Sequence, residues 1–142
     1  MSQFPAACPT VFPTVTEDAI AALVAAFYDR ARADALLGPV FLAVVGTAEE
    51  AWVRHRARIS DFWSSVLLST GRYEGRPMVV HAGLPEIGPD HFRRWLTLFG
   101  ETAREMFAAE AADRIVAAAT RIGRSLQMGL AVARGEGAGA YL

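Results

Sequence analysis

Apolar positions along the chain fall into stripes of helical period, separated by short polar or Gly/Pro-containing breaks. Ile20, Leu23, Val24, Phe27 and Tyr28 recur at spacings of three and four and predict a first helix. Thr14 and Glu17 have the spacing of a capping box, and Glu17 and Asp18 put negative charge where a helix N-terminus favours it. Arg30 and Arg32 suit its C-terminal end, and Leu37-Gly38-Pro39 interrupts the pattern. Pro39 to Val45 is short and apolar, so by length it reads as a strand or as a turn of helix. Gly46 ends it. Thr47 and Glu50 repeat the capping-box spacing and open the clearest helix, with Trp52, His55, Ile59, Phe62, Trp63, Val66 and Leu67 on one side. That helix is expected to end near Ser69-Thr70-Gly71. Tyr73 to Gly88 is rich in Gly and Pro, with one brief helical turn expected after Pro77. Pro89 opens a further helix with a stripe at Phe92, Trp95, Leu96, Phe99, Ala103 and Phe107. A last one is expected over about 111–133, anchored by Ile115, Ile122, Leu126 and Met128. Four long helices without a convincing alternating strand predict an all-α domain.

Length and composition narrow the function. The 142 residues suit one domain, with an irregular lead-in over 1–13 and a Gly-containing tail over 135–142 expected to fray. The chain is 53% hydrophobic and 20% charged, which a disordered segment would not be. Its 14 basic residues, all Arg, against 15 acidic ones leave a net charge of -1, without the basic surplus that nucleic-acid binding needs. No apolar run is long enough for a membrane span, and no signal peptide is visible, so a cytoplasmic location is expected. Cys8 stands alone and offers neither an internal disulfide nor a thiolate metal site. Phosphate loops, HExxH sites and nucleophile elbows are absent from the sequence.

Three histidines remain. His55 lies on the apolar face of the central helix, and in isolation reads as a core or boundary residue. His81 follows Met78-Val79-Val80, where a short apolar turn delivers it to a loop edge. His91, in the first turn after Pro89, reads as a solvent-facing or capping residue and takes no role. Tyr28 and Trp95, each in isolation, read as core. Their order is more informative than their settings. A tyrosine late on the first helix, a histidine early on the central helix and a second histidine on a later turn could sandwich a flat apolar cofactor. A haem needs such a slot, with one imidazole on iron and polar groups across the plane.

Read in order, Phe27-Tyr28 with Arg30 and Arg32, Leu37-Gly38-Pro39-Val40-Phe41, Trp52-Val53-Arg54-His55 and Ile59-Ser60-Asp61-Phe62-Trp63 form a pattern. It continues through Gly75-Arg76-Pro77-Met78-Val79-Val80-His81, Leu84-Pro85 and Phe92-Arg93-Arg94-Trp95-Leu96-Thr97-Leu98-Phe99. This pattern, over roughly residues 16–133, resembles the truncated haemoglobins, and their third group in particular. The Gly-Gly motifs of the first two groups are missing, as is common in the third. The resemblance implies a globin-like two-over-two helical sandwich around haem b. It makes His81 the proximal iron ligand and Tyr28, His55 and Trp95 the distal polar residues. It puts Phe27, Phe41, Phe62 and Met78 at the pocket wall, and Arg58 at a haem propionate. The implied ligands are O2, NO and CO, with NO-detoxifying or peroxidase-like chemistry served by a separate reductase as the catalytic extension. A globin-fold sensor or interaction module without haem is the competing expectation. The sequence sets no oligomeric state.

Overall fold

The computed structural model describes residues 11–75, 87–133 and 135, and five helices account for most of them. These are α1 (Glu17–Ala33), α2 (Leu37–Val45), α3 (Glu49–Leu68), α4 (Pro89–Met106) and α5 (Ala109–Ala133). Strands are absent among the described residues, apart from an isolated parallel bridge between Phe12 and Phe107. That bridge ties part of the expected irregular lead-in to the end of α4: Phe12 N–H donates to Met106 O at 2.8 Å, and Ala108 N–H to Phe12 O at 2.9 Å.

α1 begins two residues later than the Thr14–Glu17 spacing implies. Its cap is Thr16, whose hydroxyl accepts from the Ala19 N–H at 3.1 Å. The ambiguous apolar stretch is helical. Asp34 makes this possible: its carboxylate accepts from the N–H groups of Leu36 and Leu37 at 3.1 and 3.0 Å, and Arg94 donates to it from Nε at 2.7 Å. Pro39 then sits in the first turn of α2, where its missing N–H costs no helical bond. Gly38 is required by the α1–α2 corner, since a Cβ there would lie 2.7 Å from the Arg32 carbonyl oxygen. α3 starts after Ala48 without a side-chain cap, so the Thr47–Glu50 spacing is not used as a capping box. It ends at Ser69, whose left-handed φ of 57° turns the chain away.

α1 packs against α3, α4 packs against α5, and α1 also crosses α4, which is the two-over-two pairing expected. The core is built from the predicted stripes: Ile20, Leu23, Val24 and Phe27 of α1, Trp52, Trp63 and Leu67 of α3, Leu98 and Phe99 of α4, and Ile115 of α5. Val66 and Met128 depart from expectation and face outward, at 36% and 42% exposure. Among the described residues no helix is long and apolar enough to cross a membrane.

Candidate functional site

A cavity of about 410 Å³ lies between the two helical layers, within the usual range of about 300–1,000 Å³ for small-molecule sites. Every helix contributes to its wall. α1 supplies Tyr28, and α2 supplies Leu37, Val40, Phe41 and Val44. α3 gives His55, Arg58, Ile59, Phe62 and Trp63, followed by Tyr73. Ile87 precedes α4, which adds His91, Phe92 and Trp95, and α5 adds Ile122, Gly123 and Leu126. The helical period explains the selection, because His55, Ile59, Phe62 and Trp63 share a face of α3, as do His91 and Trp95 on α4.

The polar groups inside are few. Tyr28 is 4% exposed, and its hydroxyl lies 3.0 Å from Nε2 of His55. Burial disfavours the phenolate and raises the Tyr28 pKa well above its ordinary range. Burial also lowers the His55 pKa, and the nearby Arg58 cation adds to that shift, so the imidazole is neutral at pH 7. An aromatic collar holds the pair: Tyr28 meets Phe41, Trp52 and His55 edge-on, with ring centroids 5.2, 5.8 and 5.1 Å apart. Trp52 is itself fixed, donating from Nε1 to Gly46 O at 2.8 Å with the Arg32 guanidinium 4.3 Å over its ring.

On the α4 side, Trp95, Phe99 and Trp63 stack nearly parallel, Phe99 lying 5.3 Å from Trp95 and 4.9 Å from Trp63. The Trp95 indole N–H has no hydrogen-bond partner among the described residues and is free to donate. Gly123 faces the Trp95 ring from α5, where an added Cβ would lie 3.8 Å from it. A shallower cleft opens outside the cavity and shares Val44, His55, Arg58 and Tyr73 with it, bringing Arg54, Asp61 and Arg72 to the mouth. Arg72 is engaged with Glu17, whereas Arg58 forms no ion pair among the described residues and stands 5.7 Å over the Tyr73 ring.

The structure thus brings together Tyr28, His55, Trp95, Phe41, Phe62 and Arg58. Phe27, expected at the pocket wall, sits one layer behind it, wedged between Tyr28 and Phe99 with centroid distances of 5.1 and 5.4 Å. His81 and Met78 lie outside the described residues, as does the helical turn expected after Pro77. Tyr73 and His91 were not expected at the wall. His91 does cap α4, accepting the Gly88 N–H on Nδ1 at 3.1 Å, but it also lines the cavity. Its four-residue spacing from Trp95 was the available signal.

No family model matches the chain. It is 36% identical over 116 residues to the group 3 truncated hemoglobin of Campylobacter jejuni, covering 82% of this chain and 91% of that protein. The crystal structure of a group III truncated hemoglobin from Campylobacter jejuni superposes with a TM-score of 0.79 at 35% identity, over 82% of this chain and 92% of that one. With a helical sandwich of the same architecture and a relative of this similarity over most of both lengths, the chain belongs to the truncated haemoglobin family, in its third group.

Proposed function

We infer that the chain binds haem b in the inter-layer cavity and holds a diatomic ligand such as O2, NO or CO beside Tyr28, His55 and Trp95. The observation that carries this reading is a neutral phenol–imidazole pair buried in an otherwise apolar, aromatic-walled slot. The residues fit the group. Flat apolar walls from Phe41, Phe62 and Ile122 suit the faces of a porphyrin, and Arg58, without a carboxylate partner among the described residues, suits a propionate at the mouth. His81 takes the role of proximal ligand through the family pattern of the sequence. Haem supplies reversible binding of diatomic gases and one-electron chemistry when bound.

The chain's own residues decide how firmly such a ligand is held. Of the buried pair, the phenol is the stronger acid and the neutral imidazole the stronger base, with ordinary pKa values of about 10 and 6.5. The favoured arrangement therefore has the Tyr28 O–H donating to Nε2 of His55, with the His55 proton on Nδ1. A ligand carrying partial negative charge then competes with His55 for the Tyr28 proton. Trp95 has no such competitor and donates from Nε1 directly. Strong retention of a polarised ligand opposes oxygen delivery and favours chemistry, so we extend the reading to NO-detoxifying or peroxidase-like turnover with electrons from a separate reductase.

The test is the visible spectrum of the purified chain offered haemin, taken ferric, then reduced, then with CO. The expected result is a Soret band that shifts at each step. A chain that stays colourless with haemin refutes the reading. Loss of haem retention in His81→Ala is expected alongside, and unchanged haem content in that variant refutes the role given to His81.

A further inference from the structure

The capping hydrogen bond sets which ring nitrogen of His91 remains for the cavity. Its Nδ1 accepts the Gly88 N–H, so that nitrogen presents its lone pair to the backbone and, in the neutral ring, the hydrogen resides on Nε2. An imidazole so arranged cannot ligate a metal through Nε2, because that nitrogen offers a hydrogen and no lone pair. It can only donate. Nε2 has no hydrogen-bond partner among the described residues, while His91 is part of the cavity wall one helical turn before Trp95. The other cationic or N–H donors on the described wall are His55, Arg58 and Trp63, from α3, and Trp95 itself. Ile87, Phe92 and Leu126, which line the same cavity, are apolar and supply no side-chain acceptor of their own.

We propose that His91 is a carboxylate-binding residue of this site, donating from Nε2 to an acidic substituent of the porphyrin, with Arg58 serving the second one. This rests on the haem reading above, and adds that the site selects a dicarboxylic porphyrin over an uncharged one. Capping and binding are then coupled: the hydrogen bond that starts α4 also sets the tautomer that meets the ligand.

The test uses metal-free protoporphyrin IX and its dimethyl ester, which share a ring and differ in the carboxylates, and it involves no iron bond and no turnover. The quantity read is the ratio of the ester Kd to the diacid Kd, from quenching of tryptophan fluorescence. A global loss of fold weakens both porphyrins alike and leaves this ratio unchanged. The wild type is expected to prefer the diacid. His91→Ala lowers the ratio about tenfold, the lower end for a hydrogen bond to a charged group at a half-buried position. His91→Gln, whose side chain can both accept from Gly88 and donate, restores much of it. His91→Glu keeps the cap but sets a carboxylate against the diacid, and lowers the ratio further. A ratio unchanged in both His91→Ala and His91→Glu overturns the proposal, including the case where both porphyrins weaken equally because only the cap matters. A wild type that binds neither porphyrin refutes the haem reading itself.

Discussion

Replacing His55 with Leu is expected to tighten ligand retention, the opposite of what a distal hydrogen-bonding histidine would ordinarily show. Tyr28 Oη and His55 Nε2 are 3.0 Å apart, and the phenol has no other hydrogen-bond partner among the described residues. Its proton is therefore committed to His55 until a ligand draws it away. A neutral hydrogen bond of this kind contributes about 0.5–1.5 kcal/mol, whereas one to a group bearing negative charge contributes about 1.5–3 kcal/mol. The neutral bond, about 1 kcal/mol, is what His55 withholds, so His55→Leu should slow O2 dissociation from the reduced, haem-loaded chain about fivefold. Tyr28→Phe removes the donor and costs the ligand only the charged bond less the neutral one, about 1 kcal/mol, so it should speed dissociation about 5- to 10-fold. In the double variant the gain from His55→Leu disappears, because no phenol proton is left to release. Folding should suffer little from Tyr28→Phe, at most about 1 kcal/mol, since Phe keeps the ring contacts with Phe41 and Trp52 and His55 can reach water at the mouth. Stopped-flow displacement of O2 by CO measures the rates, and urea unfolding measures the stabilities. Faster O2 release in His55→Leu than in the wild type, with Tyr28→Phe also faster, would show that both side chains donate independently and would refute the competition.

Trp95→Phe should change ligand kinetics more than Trp63→Phe, because only Trp95 matches a distal position of the family pattern. Trp63→Phe should cost more stability, since Trp63 is 3% exposed and stacks on Phe99. Equal kinetic effects from the two variants would place the donor elsewhere. Asp34→Ala removes the acceptor for two backbone N–H groups at the start of α2 together with the half-exposed Arg94 pair. The expected loss is about 2 kcal/mol, or about 7 °C in Tm for a chain of this length. A shift below about 1 °C would show that α2 does not depend on this cap. The lowered pKa of His55 means that the unfolded chain binds a proton there before the folded one does. Stability should therefore fall as pH drops below about 6.5, and His55→Leu should flatten that part of the profile. Asp34, whose pKa is lowered, contributes in a separate window, with stability lost as pH falls below about 4.

The four long helices were legible because each buries one stripe against a partner, and a stripe leaves a period in the sequence. α2 was not, since Leu37 to Val45 is apolar all round and its helical state depends on a carboxylate three residues upstream. The choice between Thr14 and Thr16 as cap was likewise invisible to spacing alone; the hydroxyl that reaches the Ala19 N–H decides it. Within the site, Tyr28 and His55 were indicated by their order in the chain, and Trp95, Phe41, Phe62 and Arg58 by the family pattern. Phe27 could not be separated from Tyr28, because adjacent residues on a helix edge are both apolar-facing and only the α1–α4 packing decides which ring is behind the wall. His91 reads from the sequence as a solvent-facing or capping residue; it is a cap, and it lines the cavity rather than only facing solvent. A capping bond uses one ring nitrogen, and a one-dimensional pattern carries nothing about where the other points.

The element that completes the cavity is also the one with least to hold it. α2 is nine residues long, too short to persist alone, and buries only Leu37 and Gly38 fully, with Leu42 49% exposed and Val44 47% exposed. Yet Val40, Phe41 and Val44 form a wall of the site. A flat apolar ligand in the cavity would lie against Val40, Phe41 and Val44 and bury them further. Binding and the ordering of this corner are then one equilibrium, with a ligand that engages only the folded wall stabilising it by mass action. Asp34, gripping the start of α2 from the end of α1 while paired to Arg94 beside Trp95, keeps that wall in place beforehand. In this arrangement a single buried carboxylate connects the helix that carries Tyr28, the helix that carries Trp95 and the short helix between them.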